Sequence, residues 1–131
     1  MHTFNTLKTH LKTFAMSEKR KLVVVITRGL DDERSSVAWS IANGGINSGL
    51  DVSVFLVSSG VDWVRKGAAD AVHLNPLDPP MKDMIQKVID SGCPVGVCPP
   101  CAKVRGYGEN DLMEGVTIVG SIAIHEPVRQ G

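Results

Sequence analysis

Two cysteines three residues apart, Cys98 and Cys101, enclose a pair of prolines and follow the apolar run Val95–Val97. Two thiols at this spacing can do chemistry that one cannot, because one attacks a sulfur atom while the other waits as resolving partner. The pattern predicts a strand that ends at Cys98 and a helix that begins near Pro100. Free N–H groups and the helix dipole at such a start stabilise a thiolate, and Arg105 adds local positive charge. We interpret Cys98 as the working thiol and Cys101 as its resolving partner.

Apolar, β-branched runs alternate with helical patterns along the chain. Such runs are typical of strands buried on both faces of a parallel sheet. We assign strands to residues 22–27, 51–57, 94–97 and 116–119, a short extended segment to 71–74, and helices to 33–48, 81–91, 102–105 and 121–127. The alternation predicts an α/β class, a three-layer, flavodoxin-like fold with a mostly parallel sheet of about five strands.

Polar turns leave the carboxyl ends of the first two predicted strands, where open parallel sheets bind their ligands. Arg28 and Gly29 follow the first strand, and Ser59 and Gly60 follow the second. We expect these four residues to line the same edge as Cys98 and to bind an anionic substrate. Arg28 would hold an anionic sulfur species or an acidic segment of a partner; the alternative is a solvated loop cation.

Length and composition restrict the class of protein. The chain has 131 residues, with 14 basic and 14 acidic side chains. No basic stripe suggests nucleic-acid binding, and the longest apolar stretches are too short to span a bilayer. Three cysteines without a recognisable signal peptide favour a reducing cytoplasm. We expect residues 1–20 to form a dispensable extension, partly helical or disordered, and residues 21–131 to form one domain.

The third cysteine, Cys93, precedes the strand that ends at Cys98. It should therefore lie at the opposite end of the sheet, roughly 15 Å away, as a structural thiol. A lone C-x-x-C supplies half of a zinc ligand set, and the chain has neither G-x-G-x-x-G nor G-K-[ST]. We expect neither a metal nor a cofactor.

Residues 22–34, 51–61 and 97–106, with Asp111–Val116 near the end, closely resemble the DsrE/DsrF-like family of small sulfur-relay proteins, which includes TusD-like subunits. The resemblance covers about residues 20–128 and is most specific around C-P-P-C. It implies an α/β fold, a homo-oligomer (trimer or hexamer), and persulfide transfer between sulfur donor and acceptor proteins. The family's sulfur-carrying cysteine corresponds to Cys98, and Cys101 fits a two-Cys branch of the family.

The residues and the resemblance together predict a sulfur-relay protein, a possible sulfurtransferase that carries persulfide sulfur on Cys98. With two close thiols, a persulfide on one can be displaced by the other, which releases sulfide and leaves a disulfide. One alternative is a thiol–disulfide redox protein, although thioredoxin-like proteins place their C-x-x-C after an early strand. The other is a non-catalytic oligomeric binding module in which the thiols are buried structure.

Overall fold

The structure is a computed structural model that describes residues 20–131. The extension predicted for residues 1–20 lies outside the described residues, except for Arg20. The strands are β1 (Lys21–Ile26), β2 (Asp51–Leu56), β3 (Val95–Val97) and β4 (Val116–Ile118). The helices are α1 (Glu33–Asn47), α2 (Met81–Asp90), α3 (Pro99–Val104) and α4 (Ile122–Gln130), with 3-10 helices at Ser58–Val64 and Glu109–Asp111.

The four strands form one parallel sheet in the consecutive order β1-β2-β3-β4. The register aligns Ile26, Leu56, Val97 and Ile118, so the carboxyl ends of all four strands lie along one edge. Helices cover both sides of the sheet: α1 contacts α2, β1 and β2, and α4 contacts β1 and β2. The α/β fold with a parallel sheet is confirmed, with four strands where about five are expected.

The missing fifth strand is the extended segment predicted for residues 71–74, which has irregular backbone and pairs with no strand. The Val72 carbonyl accepts a hydrogen bond from the N–H of Met81 at the start of α2 rather than from a neighbouring strand. Val72 and Leu74 instead pack against the core as half-buried side chains. Three prolines in residues 76–80 remove the N–H groups that a longer strand would need.

Trp39 and several small residues, rather than Val37 and Ile41, form the buried face of α1. The apolar spacing predicts that Val37 and Ile41 face the sheet, but they are 51% and 53% exposed. The buried residues are Ser35, Ser36, Trp39, Ala42 and Gly45. At Gly45 a Cβ atom would lie 2.6 Å from Leu22 Cδ2, so the helix packs closer to the sheet than larger side chains would allow.

Two helix boundaries differ by more than one residue from those predicted. Helix α3 begins at Pro99, and α4 continues to Gln130 although it contains Pro127. Proline fits the first turn of a helix, where its missing N–H has no intrahelical partner. Within α4, Pro127 removes one backbone donor without ending the helix. None of the helices described between residues 20 and 131 is long and apolar enough to cross a membrane.

Candidate functional site

Cys98 and Cys101 lie together at the carboxyl edge of the sheet. Cys98 follows β3 and is the N-cap residue of α3, and its backbone N–H donates to the Leu56 carbonyl at 3.0 Å. Cys101 is the third residue of that helix. Both side chains are thiols, and both are partly exposed. A small sulfur compound or a partner's cysteine can therefore reach them from solvent.

The start of α3 supplies fewer backbone N–H donors than most helix starts do. Pro99 and Pro100 fill the first two helical positions, so two of the N–H groups normally left free at a helix start do not exist. The Cys98 N–H is already bonded to β2. Helix α3 has only six residues, which also limits its dipole. Of the N–H groups at this helix start, that of Cys101 acts on the Cys98 thiol, and this hydrogen bond by itself lowers the pKa of Cys98. A sulfur anion on Cys101 must find its donors elsewhere.

A donor comes from the loop after β2. The backbone N–H of Ser58 donates to Cys101 Sγ at 3.1 Å. Among the described residues, Ser58 is the only non-glycine residue with a positive φ, 53°. Few residues other than glycine adopt this left-handed conformation, because the Cβ atom crowds the backbone. The turn after β2 is therefore held in an unusual shape that directs a peptide N–H at the sulfur.

The two thiols have pKa values shifted in opposite directions. The pKa of Cys101 is lowered by a hydrogen bond from the Cys98 thiol, by the Ser58 N–H, and by the positive charge of Arg105. Burial raises the pKa of Cys98, and its side-chain hydrogen bond to Cys101 acts in the same direction. Together they outweigh the hydrogen bond from the Cys101 backbone N–H, which lowers that pKa. Hydrogen bonds from neighbours thus favour Cys101 as the thiolate, whereas the sequence analysis favours Cys98 as the working thiol.

Arg105, Asp62 and Tyr107 form a polar network next to Cys101. Arg105 Nη1 donates to the Cys101 carbonyl at 3.2 Å, and its Nε lies 3.5 Å from Asp62 Oδ1. The Tyr107 hydroxyl donates to the same carboxylate oxygen at 2.6 Å. Burial, with this hydrogen bond to a carboxylate, raises the pKa of Tyr107. The network keeps the Arg105 charge within reach of the thiols.

Sequence reasoning includes Arg105 as local positive charge but misses Ser58, Asp62 and Tyr107. Asp62 and Tyr107 are 45 residues apart in the chain, so no local spacing relates them. The Ser58 contribution comes from its backbone, which residue type does not reveal. The Ser-Ser-Gly turn after the second strand is the sequence feature that could have indicated Ser58. It led instead to the prediction of the neighbouring residues Ser59 and Gly60.

Arg28 lies at the carboxyl edge, as expected, but in the loop after β1, which is two strands from β3. Two strand spacings of about 4.8 Å place it roughly 10 Å from the cysteine strand. Its exposed side chain faces Asp32, with Nε 3.8 Å from Oδ2. Its carbonyl accepts hydrogen bonds from Ser35 Oγ at 2.7 Å and Trp63 Nε1 at 2.9 Å. Anion binding by Arg28 stays a prediction; the structure brings Arg105, not Arg28, to the thiols.

The three remaining predicted residues, Gly29, Ser59 and Gly60, join the loops after β1 and β2. A Cβ atom on Gly60 would lie 2.2 Å from the Ile26 carbonyl oxygen, and one on Gly29 would lie 3.0 Å from the Ser59 carbonyl oxygen. Ser59 Oγ donates to the Thr27 carbonyl at 3.3 Å. These contacts fix the loop that carries Ser58; a direct role of the three residues in binding an anion stays a prediction.

Cys93 precedes β3 and packs against the hydrophobic core, at the end of the sheet opposite Cys98. The strand between them keeps Cys93 out of the thiol pair. Within residues 20–131, no three His, Cys, Asp or Glu side chains gather in an arrangement that could hold a metal ion.

Comparison with solved structures identifies the same fold in two proteins. The ychN protein from E. coli matches with a TM-score of 0.65 and 21% identity, over 85% of this chain and 92% of that one. A protein of unknown function from Methanobacterium thermoautotrophicum matches with a TM-score of 0.60 and 21% identity, over 86% of this chain and 91% of that one. At this identity the likeness shows the fold alone.

Sequence comparison identifies the family. An uncharacterized protein of Methanocaldococcus jannaschii is 33% identical over 100 residues, which are 75% of this chain and 82% of that protein. An uncharacterized protein of Methanopyrus kandleri is 32% identical over 97 residues, 73% of this chain and 75% of that protein. The model of the DsrE/DsrF-like family matches residues 19–131. This chain therefore belongs to the DsrE/DsrF-like family.

Proposed function

We propose that this protein is a sulfur-relay protein that carries sulfane sulfur as a persulfide on the Cys98–Cys101 pair. The observation that carries the proposal is the hydrogen bond from the Ser58 N–H to Cys101 Sγ, in a thiol pair that solvent can reach. A purely structural thiol needs neither exposure nor an anion donor. Membership of the DsrE/DsrF-like family, whose members often act in sulfur relay, supports the same function.

The first step is nucleophilic attack by the Cys101 thiolate. It attacks the outer sulfur of a donor persulfide, whose S–S bond breaks, and the electron pair stays on the donor's own sulfur as a thiolate. The new S–S bond leaves Cys101 as a persulfide, with the proton still on the transferred sulfur. No external oxidant or reductant takes part. The lowered pKa of Cys101 supplies the thiolate that this step needs.

The second thiol allows a second reaction of the Cys101 persulfide, besides transfer of its sulfur to an acceptor protein. If the Cys98 thiolate attacks Cys101 Sγ, the persulfide S–S bond breaks, hydrosulfide leaves, and a Cys98–Cys101 disulfide remains. A dithiol reductant must then restore the pair. Because burial raises the pKa of Cys98, it is mostly protonated at neutral pH, which slows this discharge and favours transfer to an acceptor. The two-thiol site also fits a TusD-like subunit of a two-Cys branch.

The proposed function requires partner proteins and a reducing compartment. A relay requires one protein that donates the persulfide and another that accepts it, and the thiols require a reducing compartment such as the cytoplasm. A homo-oligomer, a trimer or hexamer, would present several such sites. Exposed apolar side chains on α1, among them Val37 and Ile41, offer surface for association between copies.

The test is mass spectrometry after the purified protein is incubated with inorganic polysulfide. The intact mass should increase by one sulfur atom, and peptide fragmentation should place that atom on Cys101. Cys98→Ser should keep the adduct, and Cys101→Ser should lose it. Cys93→Ser is the matched control and should load like the natural chain. If neither Cys98 nor Cys101 gains sulfur while small thiols in the same solution do, the protein is not a persulfide carrier.

A further inference from the structure

The loop after β2 makes an unusual contact with the reacting sulfur. Ser58 adopts a left-handed backbone, and in that conformation its N–H lies 3.1 Å from Cys101 Sγ. The adjacent residues clamp the loop: Gly60 packs on the Ile26 carbonyl so closely that a Cβ atom would meet it at 2.2 Å. The Val57 N–H also donates to Ile26 at 3.0 Å. A strained residue held by close contacts on both sides indicates a position that the fold enforces.

We propose that the Ser58 peptide N–H stabilises the negative charge that forms on Cys101 when a bound sulfane sulfur passes to an acceptor. This inference rests on the proposed function. In that step an acceptor thiolate attacks the outer sulfur of the Cys101 persulfide. The S–S bond of the persulfide breaks, its electron pair moves onto Cys101 Sγ, and the acceptor becomes the persulfide. The charge arrives at the atom that Ser58 contacts.

This donor gives the relay a direction. A hydrogen bond to a thiolate makes it a better leaving group but also a weaker nucleophile, because both properties follow its basicity. The Ser58 N–H therefore favours release of sulfur from Cys101 over its retention. The helix start cannot replace this donor, since Pro99 and Pro100 have no N–H. The remaining groups that act on Cys101 are the Cys98 thiol and the Arg105 charge, which Asp62 partly offsets.

The test replaces the Ser58 N–H by an ester oxygen, through incorporation of the α-hydroxy analogue of serine, in a Cys98→Ser background. The pKa of Cys101, read by mass spectrometry from the pH dependence of alkylation, should rise by about 1. Release of polysulfide-derived sulfur to dithiothreitol should slow roughly threefold, for a sensitivity of about 0.5 per pKa unit. Ser58→Ala, which keeps the N–H, should change neither. The same ester at Ser91, whose N–H donates to the Lys87 carbonyl at the end of α2, is the backbone control.

The assignment is overturned if the ester leaves the pKa of Cys101 unchanged, or if Ser58→Ala raises it equally. Should the ester protein fail to fold, the pKa of Cys101 in Ser58→Gly and in Ser58→Val tests the assignment instead. Glycine keeps the left-handed backbone and should keep the pKa, whereas valine disfavours it and should raise the pKa; equal values overturn the assignment. The alkylation measurement needs no bound sulfur. A protein that takes up no sulfur therefore refutes the proposed function, while the pKa measurement still decides the role of Ser58.

Discussion

At the scale of single residues, the two thiols of C-P-P-C have different surroundings. Cys101 accepts hydrogen bonds from the Cys98 thiol and the Ser58 N–H, whereas Cys98 is mainly affected by burial. The C-P-P-C motif alone predicts a reactive pair with Cys98 as the working thiol, whereas the directions of the two pKa shifts favour Cys101 as the thiolate. The distinction comes from a peptide group 43 residues away in the chain. Local spacing contains no information about such a contact.

Removal of the Cys98 thiol should make Cys101 less acidic. In Cys98→Ala the hydrogen bond that contributes most to the lowered pKa of Cys101 is lost, so that pKa should rise toward the ordinary value of about 8.5. At pH 7 alkylation of Cys101 by iodoacetamide should therefore become several-fold slower, since it follows the thiolate fraction. Cys98→Ser keeps a donor and should retain most of the rate. An equal rate in natural and alanine chains would show that Cys98 does not activate Cys101.

At the scale of elements, the close approach of the loops after β1 and β2 should be measurable as stability. In Gly60→Ala the new Cβ atom would meet the Ile26 carbonyl oxygen at 2.2 Å, so the free energy of unfolding should fall by about 2–3 kcal/mol. Gly44 lies in α1, and a Cβ atom there meets nothing within 4 Å. Gly44→Ala should therefore raise the free energy of unfolding by about 0.5–1 kcal/mol. Urea denaturation measures both, and a tolerated Gly60→Ala would refute the packing.

The start of α1 should give the stability a dependence on acid pH. Asp32 caps the helix by accepting from the Arg34 N–H at 2.9 Å. Hydrogen bonds from the Arg34 side chain and backbone lower the pKa of Asp32 to about 2. The unfolded value is about 3.9, so between these values the unfolded state binds more protons. Stabilisation by Asp32 is thus complete above about pH 4 and is lost as the pH falls toward 2.

Asp32→Ala should accordingly lower the melting temperature at pH 7, and the difference from the natural chain should disappear near pH 2. Thermal melts followed by circular dichroism across this range are the measurement. Asp31→Ala, which changes an exposed neighbouring carboxylate, is the control. A difference that persisted unchanged at pH 2 would mean that the Asp32 charge does not contribute to the cap.

The sequence predicts most elements because hydrophobic periodicity decides them, as in α2, where Met81, Met84, Ile85 and Val88 are buried. Prediction from the sequence fails where packing between segments distant in the chain determines the structure. The buried face of α1 consists of Trp39 and small residues that fit against the sheet, so Val37 and Ile41 lie outside it. In the site, the cysteine motif and Arg105 are visible in the sequence. The Ser58 N–H and the Asp62–Tyr107 contact depend on where separate loops meet.

At the scale of the whole molecule, the exposed apolar face of α1 leads to a prediction about assembly. Val37 and Ile41 are one helical turn apart and about half exposed. If copies associate through this face, sedimentation of the natural chain should give a trimer or hexamer mass, and Ile41→Glu should reduce it. Leu77→Glu changes a loop residue that is 92% exposed and should leave the mass unaltered. A natural chain that sediments as a monomer would exclude assembly of this kind.

The central claim concerns what the thiol pair carries in its own cell. The most direct measurement is the modification state of Cys98 and Cys101 in protein isolated from that cell, with thiols and persulfides alkylated at the moment of lysis. We expect a population in which one extra sulfur atom lies between Cys101 and the alkyl label. Recovery of Cys98 and Cys101 only as directly alkylated thiols, from cells with active sulfur metabolism, would contradict it.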